Sequence, residues 1–423
     1  MDYFKYKKNQ LFCEGVPVER IARRVGSPVY IYSAQTILTH WRRLKAAFQP
    51  ARLSARQADQ PLIGYSLKAN SNLAVCNLLQ RAGSGFEVVS GGELYRLLKI
   101  GVPGEKIIFG GIAKTESEIK LGLKSGVLIF NVETKDEILL INRVAGRLKK
   151  IAPVAIRLNP EVTPATHLYL ITGQKGNKFG FYLNDAEKLM REINSLPSIR
   201  LVGLHMHIGS QITRVAPYRN ALKRVVLFIE KCRGLGHRIE WLDIGGGFGI
   251  HYRGDEARPA RDFARVLLPW IKKTGCRLIV EPGRFIVGNA GILVTKVLSV
   301  KKSGRKNFVI CDAGMNVLIR PTLYGAHHKI SPIKRRSDRP SIVADIVGPI
   351  CESGDFFAKK RRIQSVQPGE YLSVFSAGAY GFTMSSNYNS RPRPAEVLVD
   401  GSRYQVVRQA ETYHDLVRLE RYH

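Results

Sequence analysis

The chain has 423 residues, of which 44% are hydrophobic and 9% aromatic, a composition typical of a globular enzyme and not of a disordered protein. This length is too great for one ordinary hydrophobic core and predicts two domains. The formal net charge is +32, from 66 Lys and Arg against 34 Asp and Glu, which is extreme for a metabolic enzyme and raises the question of an anionic partner.

Basic clusters stand at Lys301-Lys302, Lys334 to Arg336 and Lys359 to Arg362. They lack interleaved aromatic residues and lie in predicted loops, so nucleic-acid binding is a weak alternative and we expect no nucleic-acid partner. The N-terminus lacks the apolar core of a signal peptide, and no apolar run approaches the ~18 residues that cross a membrane. We therefore expect a cytoplasmic protein with no membrane partner.

The predicted elements alternate between strands and helices. A strand-like run at 29–32 precedes a helix over 34–48, for which Ser33 is the predicted N-cap. Eight buried strands follow, at 62–67, 86–89, 106–109, 127–132, 154–158, 201–207, 239–244 and 277–280. Helical segments between them include 91–100, 115–124, 136–149 and 216–235. This alternation is typical of an α/β fold, a (β/α)₈ TIM barrel over residues 35–285.

Polar residues cluster where these strands end, among them Lys68, Arg157, His205 and Asp243. The carboxyl ends of barrel strands form the active-site face, so the pattern supports a barrel. An open doubly wound sheet is the alternative, but it predicts a glycine fingerprint after the first strand, and the sequence has none there.

After residue 285 the helical periodicity fades and β-rich runs appear, at 292–300, 308–311, 341–347, 371–375 and 396–399. They predict a C-terminal all-β domain, like a β-sandwich or Greek key, over 286–423. We expect the N-terminal residues 1–34 to join it, because chain termini often lie close together.

Lys68 ends a short apolar run that predicts a buried strand. Lysine is rarely buried without a reason, and one such reason is a Schiff base to an aldehyde cofactor. A lysine that merely ends a strand and points to water is the alternative.

Two further segments at strand ends have the chemistry of an anion site. Gly245, Gly246 and Gly247 follow the seventh strand, where successive glycines let backbone N–H groups converge on a phosphate. A tight turn without a ligand is the alternative. The segment EPGR (281–284) ends the eighth strand and pairs a carboxylate with an arginine, which fits either an ion pair or a cofactor site.

His205 and His207 are two apart on a strand and share a face. No further metal-binding motif accompanies them, so we expect no metal and favour a histidine stacked on a flat cofactor, with Ser210 on a phosphate. The adjacent His327 and His328 diverge and predict no site. Six cysteines without a CxxC pair predict neither disulfides nor a zinc site, and only Cys351 has polar, turn-forming neighbours.

The segments YSLKAN (65–70), HIGSQ (207–211), GGG (245–247), EPGR (281–284), CESGD (351–355) and GAY (378–380) resemble the motif set of the fold-type III pyridoxal-phosphate decarboxylases, and within them the diaminopimelate decarboxylase family. The resemblance runs in order from about residue 10 to 420.

The resemblance implies pyridoxal 5′-phosphate as cofactor, bound to Lys68 as a Schiff base and stacked on His207. It implies that Glu281 pairs with the pyridinium nitrogen. The implied phosphate ligands are Ser210, Gly245, Gly246, Gly247, the turn of Glu281, Pro282, Gly283 and Arg284, and Tyr380. It also implies a homodimer in which Cys351 and Glu352 reach the active site of the partner subunit, with Cys351 as the acid that protonates Cα.

Substrate choice depends on the far end of the amino acid. Arg320 and Tyr324, with Arg284, Glu352 and Tyr380, suit a distal end that carries a carboxylate as well as an ammonium. We therefore expect meso-2,6-diaminopimelate as substrate and L-lysine as product.

Two positions depart from the family pattern, since Glu87 and Val317 stand where aspartate is common. The alternatives are a sibling decarboxylase acting on carboxynorspermidine, ornithine, arginine or a D-amino acid, a racemase, and a non-catalytic regulatory or nucleic-acid-binding relative. A non-catalytic regulatory relative predicts loss of Lys68 or Cys351, and both are present. A nucleic-acid-binding relative predicts salt-sensitive retention of DNA or RNA.

Overall fold

The computed structural model describes residues 3–51, 60–163, 172–173, 176–253 and 257–422. Packing divides the chain into two compact units. The barrel unit comprises residues 40–250 and 256–285, and the β unit comprises residues 1–39, 251–255 and 286–423.

The N-terminal segment forms a small antiparallel sheet followed by two helices. Its elements are β1 (Phe4–Lys7), β2 (Gln10–Cys13), β3 (Val16–Pro17), α1 (Val18–Val25), β4 (Val29–Ser33) and α2 (Ala34–Phe48). The Ser33 hydroxyl accepts a hydrogen bond from the Thr36 N–H at 3.0 Å, which confirms Ser33 as the N-cap of α2.

The eight predicted barrel strands are confirmed as one closed parallel sheet. In chain order the strands of the barrel unit are β5 (Leu62–Ser66), β6 (Gly85–Val88), β7 (Ile107–Phe109), β8 (Ile129–Val132), β9 (Ala152–Asn159), β10 (Phe181–Tyr182), β11 (Ile199–Met206), β12 (Trp241–Asp243) and β13 (Arg277–Val280). The sheet closes where β13 pairs with β5, with Ile279 opposite Leu62. The short β10 adds only two residues beside the end of β9 and lies outside the ring. Strands β6, β7 and β8 are buried along their whole length, which is why they are near-continuous apolar runs.

Helices follow the strands and cover the barrel. They are α3 (Leu73–Arg81), α4 (Gly91–Lys99), α5 (Glu116–Ser125), α6 (Lys135–Arg147), α7 (Leu183–Glu192), α8 (Ala216–Gly234) and α9 (Ala260–Thr274). The four predicted helices correspond to α4, α5, α6 and α8, within two residues at each end. The side chains of Ser90, Thr115 and Thr134 each accept a backbone N–H in the first turn, which fixes where α4, α5 and α6 begin.

The ion pair of Lys114 and Glu137 is buried inside the barrel unit. Lys114 Nζ lies 2.6 Å from Glu137 Oε1, and their side chains are 1% and 3% exposed. Lys114 also donates to the carbonyls of Gly111 at 2.7 Å and Asn131 at 2.8 Å, so its ammonium is completely satisfied by protein. The pair fixes the segment after β7 against the start of α6.

We expect Lys114→Ala to lower the free energy of unfolding by about 3–5 kcal/mol, because it leaves the Glu137 carboxylate buried without its partner. The matched control is Lys135→Ala, which breaks an ion pair of the same 2.6 Å length whose side chains are 58% and 53% exposed. The control is expected to cost about 1 kcal/mol or less. Urea denaturation followed by circular dichroism measures both, and equal losses would contradict the buried-pair argument.

The β unit contains most of the second half of the chain. The helix α10 (Arg284–Val287) begins in the barrel unit and ends in the β unit. The elements that follow it are β14 (Gly291–Ser303), β15 (Lys306–Cys311), α11 (Arg320–Tyr324), β16 (Ile330–Pro332), β17 (Ser341–Val347), β18 (Phe356–Gln364), β19 (Tyr371–Val374), β20 (Ala395–Asp400), β21 (Arg403–Arg408) and α12 (Tyr413–Val417). The sheet runs in the order β18-β17-β15-β14-β4-β20-β21, and β19 also pairs with β14 and β16. The N-terminal strand β4 therefore lies between β14 and β20.

The prediction that the basic clusters lie in loops is wrong for two of the three. Lys301-Lys302 belongs to β14 and Lys359 to Arg362 belongs to β18. The second half of β14 is exposed, and three of the four basic residues in β18 are exposed, so these strands carry lysine and arginine without burying charge. In the described part of the chain, every helix is too short or too polar to span a bilayer.

Candidate active site

A cavity of about 360 Å³ lies at the carboxyl ends of the barrel strands. Its lining includes Lys68, Glu87, Glu133, Arg157, His205, His207 and Glu281. Three of the predicted site residues, Lys68, His207 and Glu281, therefore lie on one cavity. A volume of this size is within the ~300–1,000 Å³ typical of small-ligand sites.

Lys68 lies in a single helical turn after β5, and its ammonium faces a carboxylate. Nζ lies 2.8 and 2.9 Å from the two carboxylate oxygens of Glu87 at the end of β6. The Ser66 hydroxyl donates to the same carboxylate. The Lys68 side chain is 37% exposed, so the amine is accessible from the cavity. Glu87, one of the two residues that depart from the family pattern, thus contacts Lys68 directly.

Two acidic side chains lie side by side at the ends of β12 and β13. The Asn131 amide donates to Asp243 Oδ2 at 3.1 Å and to Glu281 Oε1 at 3.3 Å, and His205 Nε2 lies 3.5 Å from Glu281 Oε2. Burial raises the pKa of Asp243 well above its usual range, and the negative Glu281 raises it further. Burial also acts to raise the pKa of Glu281, but His205 and Lys68 outweigh it and lower that pKa to about 2. Glu281 is therefore the carboxylate that stays ionised, with a neutral Asp243 beside it.

His207 is held by the glycine turn that follows β12. The Gly246 N–H donates to His207 Nδ1 at 3.2 Å, and the Gly245 N–H donates to Asp243 Oδ1 at 2.8 Å. Burial, followed by the positive charges of Arg157 and Lys68, lowers the pKa of His207 well below its usual range. Since Nδ1 accepts a hydrogen bond, the neutral ring carries its proton on Nε2.

Packing explains why the turn has no side chains. A Cβ on Gly245 would lie 2.6 Å from the Met206 carbonyl oxygen. A Cβ on Gly246 would overlap the carbonyl oxygen of Glu281, and one on Gly247 would overlap that of Gly209. The glycines are thus required by the close approach of neighbouring strand ends, whatever ligand their N–H groups bind.

Two predicted phosphate ligands contact each other. Arg284 Nη2 donates to Ser210 Oγ at 2.9 Å, and Arg284 is buried. Gly283 before it has no room for a side chain, because a Cβ would lie 2.9 Å from Ala69 Cβ. The segment after β13 is therefore packed against the turn that carries Lys68.

The other predicted site residues belong to the β unit, where the structure groups two segments. The Thr322 hydroxyl in α11 donates to the Gly354 carbonyl at 2.6 Å, which joins the helix of Arg320 and Tyr324 to the turn of Cys351 and Glu352. That turn is shaped by Asp355, whose carboxylate accepts the N–H groups of Ile350 at 2.7 Å and Met315 at 2.6 Å.

These residues of the β unit differ in how far their side chains are exposed to solvent. Cys351 is exposed, whereas the other five cysteines are buried, as their sequence contexts predicted. Arg320 is only 3% exposed.

Tyr380 has a left-handed backbone with φ of 55°, and the neighbouring Gly378 has no room for a Cβ beside the Val287 carbonyl. Val317, the second departure from the family pattern, is buried and its carbonyl accepts the Tyr30 hydroxyl at 2.7 Å, so an apolar side chain fits there.

Comparison with known proteins places this site in a family. Residues 35–288 match the model of the pyridoxal-dependent decarboxylase, pyridoxal binding domain. Diaminopimelate decarboxylase of Aquifex aeolicus is 45% identical over 98% of this chain and 96% of its own length. That of Vibrio cholerae is 44% identical over 99% of both chains. The chain belongs to the diaminopimelate decarboxylases.

A solved structure of this family agrees with the fold. Diaminopimelate decarboxylase from M. jannaschii, in complex with L-lysine, superposes with a TM-score of 0.94 at 36% identity, covering 100% of this chain and 98% of that one. The predicted family, the carboxy-lyase class and the cofactor pyridoxal phosphate are thereby confirmed.

The residues of the cavity fit this cofactor. An amine, a neutral imidazole and an ionised carboxylate line one space, which is the set that a Schiff-base pyridine cofactor requires. Both ring nitrogens of His205 and Oδ1 of Asn131 are buried without a hydrogen-bond partner among the described residues. Donor atoms of His205, Asp243 and Glu281 also lie within 4.8 Å of one another, close enough for a metal ion, but the family match favours a ring nitrogen as the partner of Glu281.

Glu93 is a residue of this region that the sequence analysis missed. It lies in the first turn of α4, and its carboxylate accepts the Val89 N–H at 2.8 Å. Burial and then the negative charge of Glu87 raise the pKa of Glu93 to about 7. The sequence carries no signal for this, because a Glu at the third position of a helix is an ordinary capping residue.

This raised pKa predicts a pH-dependent stability. Below the ordinary pKa of 4.5 Glu93 is protonated in both the folded and unfolded states. As the pH rises from 4.5 to 7 the unfolded state loses its proton first, so the fold loses about 3 kcal/mol of stability across this window. We expect Glu93→Gln to remove that loss, measured as the free energy of unfolding between pH 5 and 8. The exposed Glu116→Gln is the control, and a Glu93→Gln curve parallel to the wild type would contradict the prediction.

Proposed function

We propose that the protein decarboxylates meso-2,6-diaminopimelate to L-lysine and CO₂, the last step of lysine biosynthesis. The main support for this substrate assignment is the 45% identity, over 98% of the chain, with a relative named diaminopimelate decarboxylase. The enzyme would work in the cytoplasm as a homodimer.

Pyridoxal phosphate, when bound, supplies an electron-withdrawing ring that stabilises the carbanion left by loss of CO₂. In this proposal Lys68 would hold the cofactor through its amine, and neutral His207 would lie against the cofactor ring. Glu281 keeps the ring nitrogen protonated, which its pKa of about 2 supports because the carboxylate remains negative at every physiological pH.

The phosphate would be held by hydrogen-bond donors from several loops. The contact between Arg284 and Ser210 supports a common site for these two residues. By family resemblance we assign further phosphate ligands, namely Gly245, Gly246, Gly247, the turn of Glu281, Pro282 and Gly283, and Tyr380.

The family resemblance assigns two residues of the β unit to the active site of the partner subunit. There Cys351 would protonate Cα, and Glu352 would bind the substrate ammonium. Their exposure on a turn supports this assignment, since a side chain that serves a neighbouring subunit must lie at the surface. Arg320, Tyr324, Arg284 and Tyr380 are assigned to the substrate, with Arg320 on the distal carboxylate.

We keep the domain bounds as a prediction: residues 35–285 for the barrel, and residues 1–34 with 286–423 for a sandwich-like or Greek-key-like domain. The sharing of active sites across a dimer is also still a prediction.

The decisive experiment is an assay of CO₂ release and lysine formation from meso-diaminopimelate by the purified holoenzyme. Ornithine, arginine, carboxynorspermidine and D-lysine are tested in parallel at the same concentration. We expect turnover of diaminopimelate to exceed that of every other compound. Preferred turnover of carboxynorspermidine would keep the cofactor chemistry and overturn the substrate.

A further inference from the structure

His328 and Arg320 form a buried contact in the β unit. Arg320 Nη1 lies 2.8 Å from His328 Nε2, and His328 Nδ1 lies 2.8 Å from the Phe375 carbonyl oxygen. The histidine is completely buried and the arginine is 3% exposed. The sequence pattern predicts no site at His328, because the side chains of adjacent histidines diverge.

The partners of His328 fix its protonation. A guanidinium has only donors, so His328 Nε2 must accept and carries no proton. A carbonyl oxygen only accepts, so Nδ1 must donate and holds the proton. His328 is therefore the neutral tautomer with its proton on Nδ1.

A neutral acceptor has a specific consequence for Arg320. A carboxylate in the place of His328 would add a negative charge beside the guanidinium, whereas a neutral imidazole accepts a hydrogen bond from it and adds none. The Tyr252 ring centre lies 4.6 Å from the guanidinium carbon, so the ring packs against the group. The contact with His328 Nε2 holds Nη1 in position.

The backbone of His328 is anchored as well. Arg361 Nη1 donates to the His328 carbonyl at 2.8 Å, and the His328 ring meets the Tyr252 ring edge to face at 5.4 Å. The neighbouring His327 points elsewhere, because its Nδ1 lies 3.1 Å from the Tyr252 carbonyl oxygen. The arrangement is a rigid support of the kind that holds a binding group in one orientation.

We infer that His328 is a positioning residue for substrate specificity: it orients Arg320 toward the carboxylate at the distal end of the substrate and so selects amino acids that carry one. This inference rests on the proposed function, in which Arg320 binds that carboxylate.

Two substitutions of similar size separate this role from a structural one. His328→Gln can place its amide oxygen near the position of Nε2 and keep the acceptor for Arg320, while it loses the bond to Phe375. His328→Asn can keep a donor for the Phe375 carbonyl near the position of Nδ1, while it loses the acceptor for Arg320. Each variant thus loses one buried hydrogen bond, but only His328→Asn removes the acceptor that faces Arg320 Nη1.

The probes are L-lysine, which retains one intact amino-acid end, and cadaverine, which has the same chain and no carboxylate. Binding to the holoenzyme is followed by the absorbance of the cofactor. We expect His328→Asn to weaken L-lysine binding about 10-fold and to leave cadaverine binding unchanged. The KM for diaminopimelate should rise by a similar factor with little change in kcat, and His328→Gln should resemble the wild type in all three.

A second variant tests the inference independently, in case His328→Asn does not fold. Tyr252→Leu removes the ring beside the guanidinium from a half-buried position and should produce the same selective loss of L-lysine binding. Equal losses for L-lysine and cadaverine, or unchanged L-lysine binding in both His328→Asn and Tyr252→Leu, would overturn the inference. A wild-type enzyme that turns over no diaminopimelate would overturn the proposed function itself, and the inference with it.

Discussion

Lys68→Ala is expected to reduce decarboxylation by on the order of 10⁴- to 10⁶-fold, the loss seen when an enzyme is deprived of the group that forms its covalent intermediate. Lys68 is the amine that lines the cavity of the barrel unit together with His207 and Glu281. No other lysine lines that cavity, whose lining residues all belong to the described part of the chain.

The charge of Lys68 also matters, because its removal leaves Glu87 without the ammonium at 2.8 Å. Lys68→Arg is therefore the matched control. It keeps a cation beside Glu87 but cannot attach an aldehyde, since a guanidinium stays protonated. Both variants should lose turnover and the absorbance of the lysine-bound cofactor, while Lys68→Arg should keep the thermal midpoint closer to that of the wild type. Turnover in Lys68→Arg above about 1% of wild type would refute the covalent role.

The same variant tests the sharing of sites between subunits. A mixture of Lys68→Ala and Cys351→Ala subunits forms hybrid dimers in which one site has both residues, if the partner subunit supplies Cys351. Random exchange at equal amounts should then restore about a quarter of the wild-type activity. Mixed subunits that stay inactive after exchange would show that each chain uses its own Cys351.

The barrel could be predicted from the sequence because its strands are buried on both faces and end in polar residues. Strand β6, for example, is apolar until Glu87, whose carboxylate then meets Lys68 at the cavity. Strand β18 could not be found in this way. Its sequence FFAKKRRIQ places charge on an exposed surface, and a run of four basic residues resembles a solvated loop.

The candidate site likewise contains some residues that the sequence could predict and others that it could not. Lys68, His207 and Glu281 were predictable because each is a polar residue at the end of an apolar strand. Glu93 and His328 were not, because their chemistry depends on neighbours distant in sequence. The ring of His328 is fixed by Arg320 and by the carbonyl of Phe375, which is 47 residues away. The glycine turn was predictable as a turn, yet its close packing against Glu281 and Gly209 became visible only in three dimensions.

Arg320→Ala is expected to lower kcat/KM for diaminopimelate by about 10³-fold, because a bidentate arginine–carboxylate contact contributes two charge-assisted hydrogen bonds. Arg320→Lys keeps the charge but not the planar fork, so it should recover only part of that loss. Arg339→Ala is the control for the loss of a guanidinium in the same unit, since Arg339 pairs with Glu370 at 2.5 Å and has no assigned role in binding. Steady-state kinetics with diaminopimelate measure all three variants.

The result must be separated from a loss of folding, because Arg320 is buried and His328 Nε2 would lose its donor. Cadaverine binding provides the separation, since this amine needs the cofactor and the fold but has no carboxylate for Arg320. A folded Arg320→Ala enzyme should bind cadaverine as the wild type does and bind L-lysine far more weakly. An unchanged kcat/KM would show that the distal carboxylate is bound elsewhere. In that case the buried contact of Arg320 and His328 would serve the stability of the β unit alone.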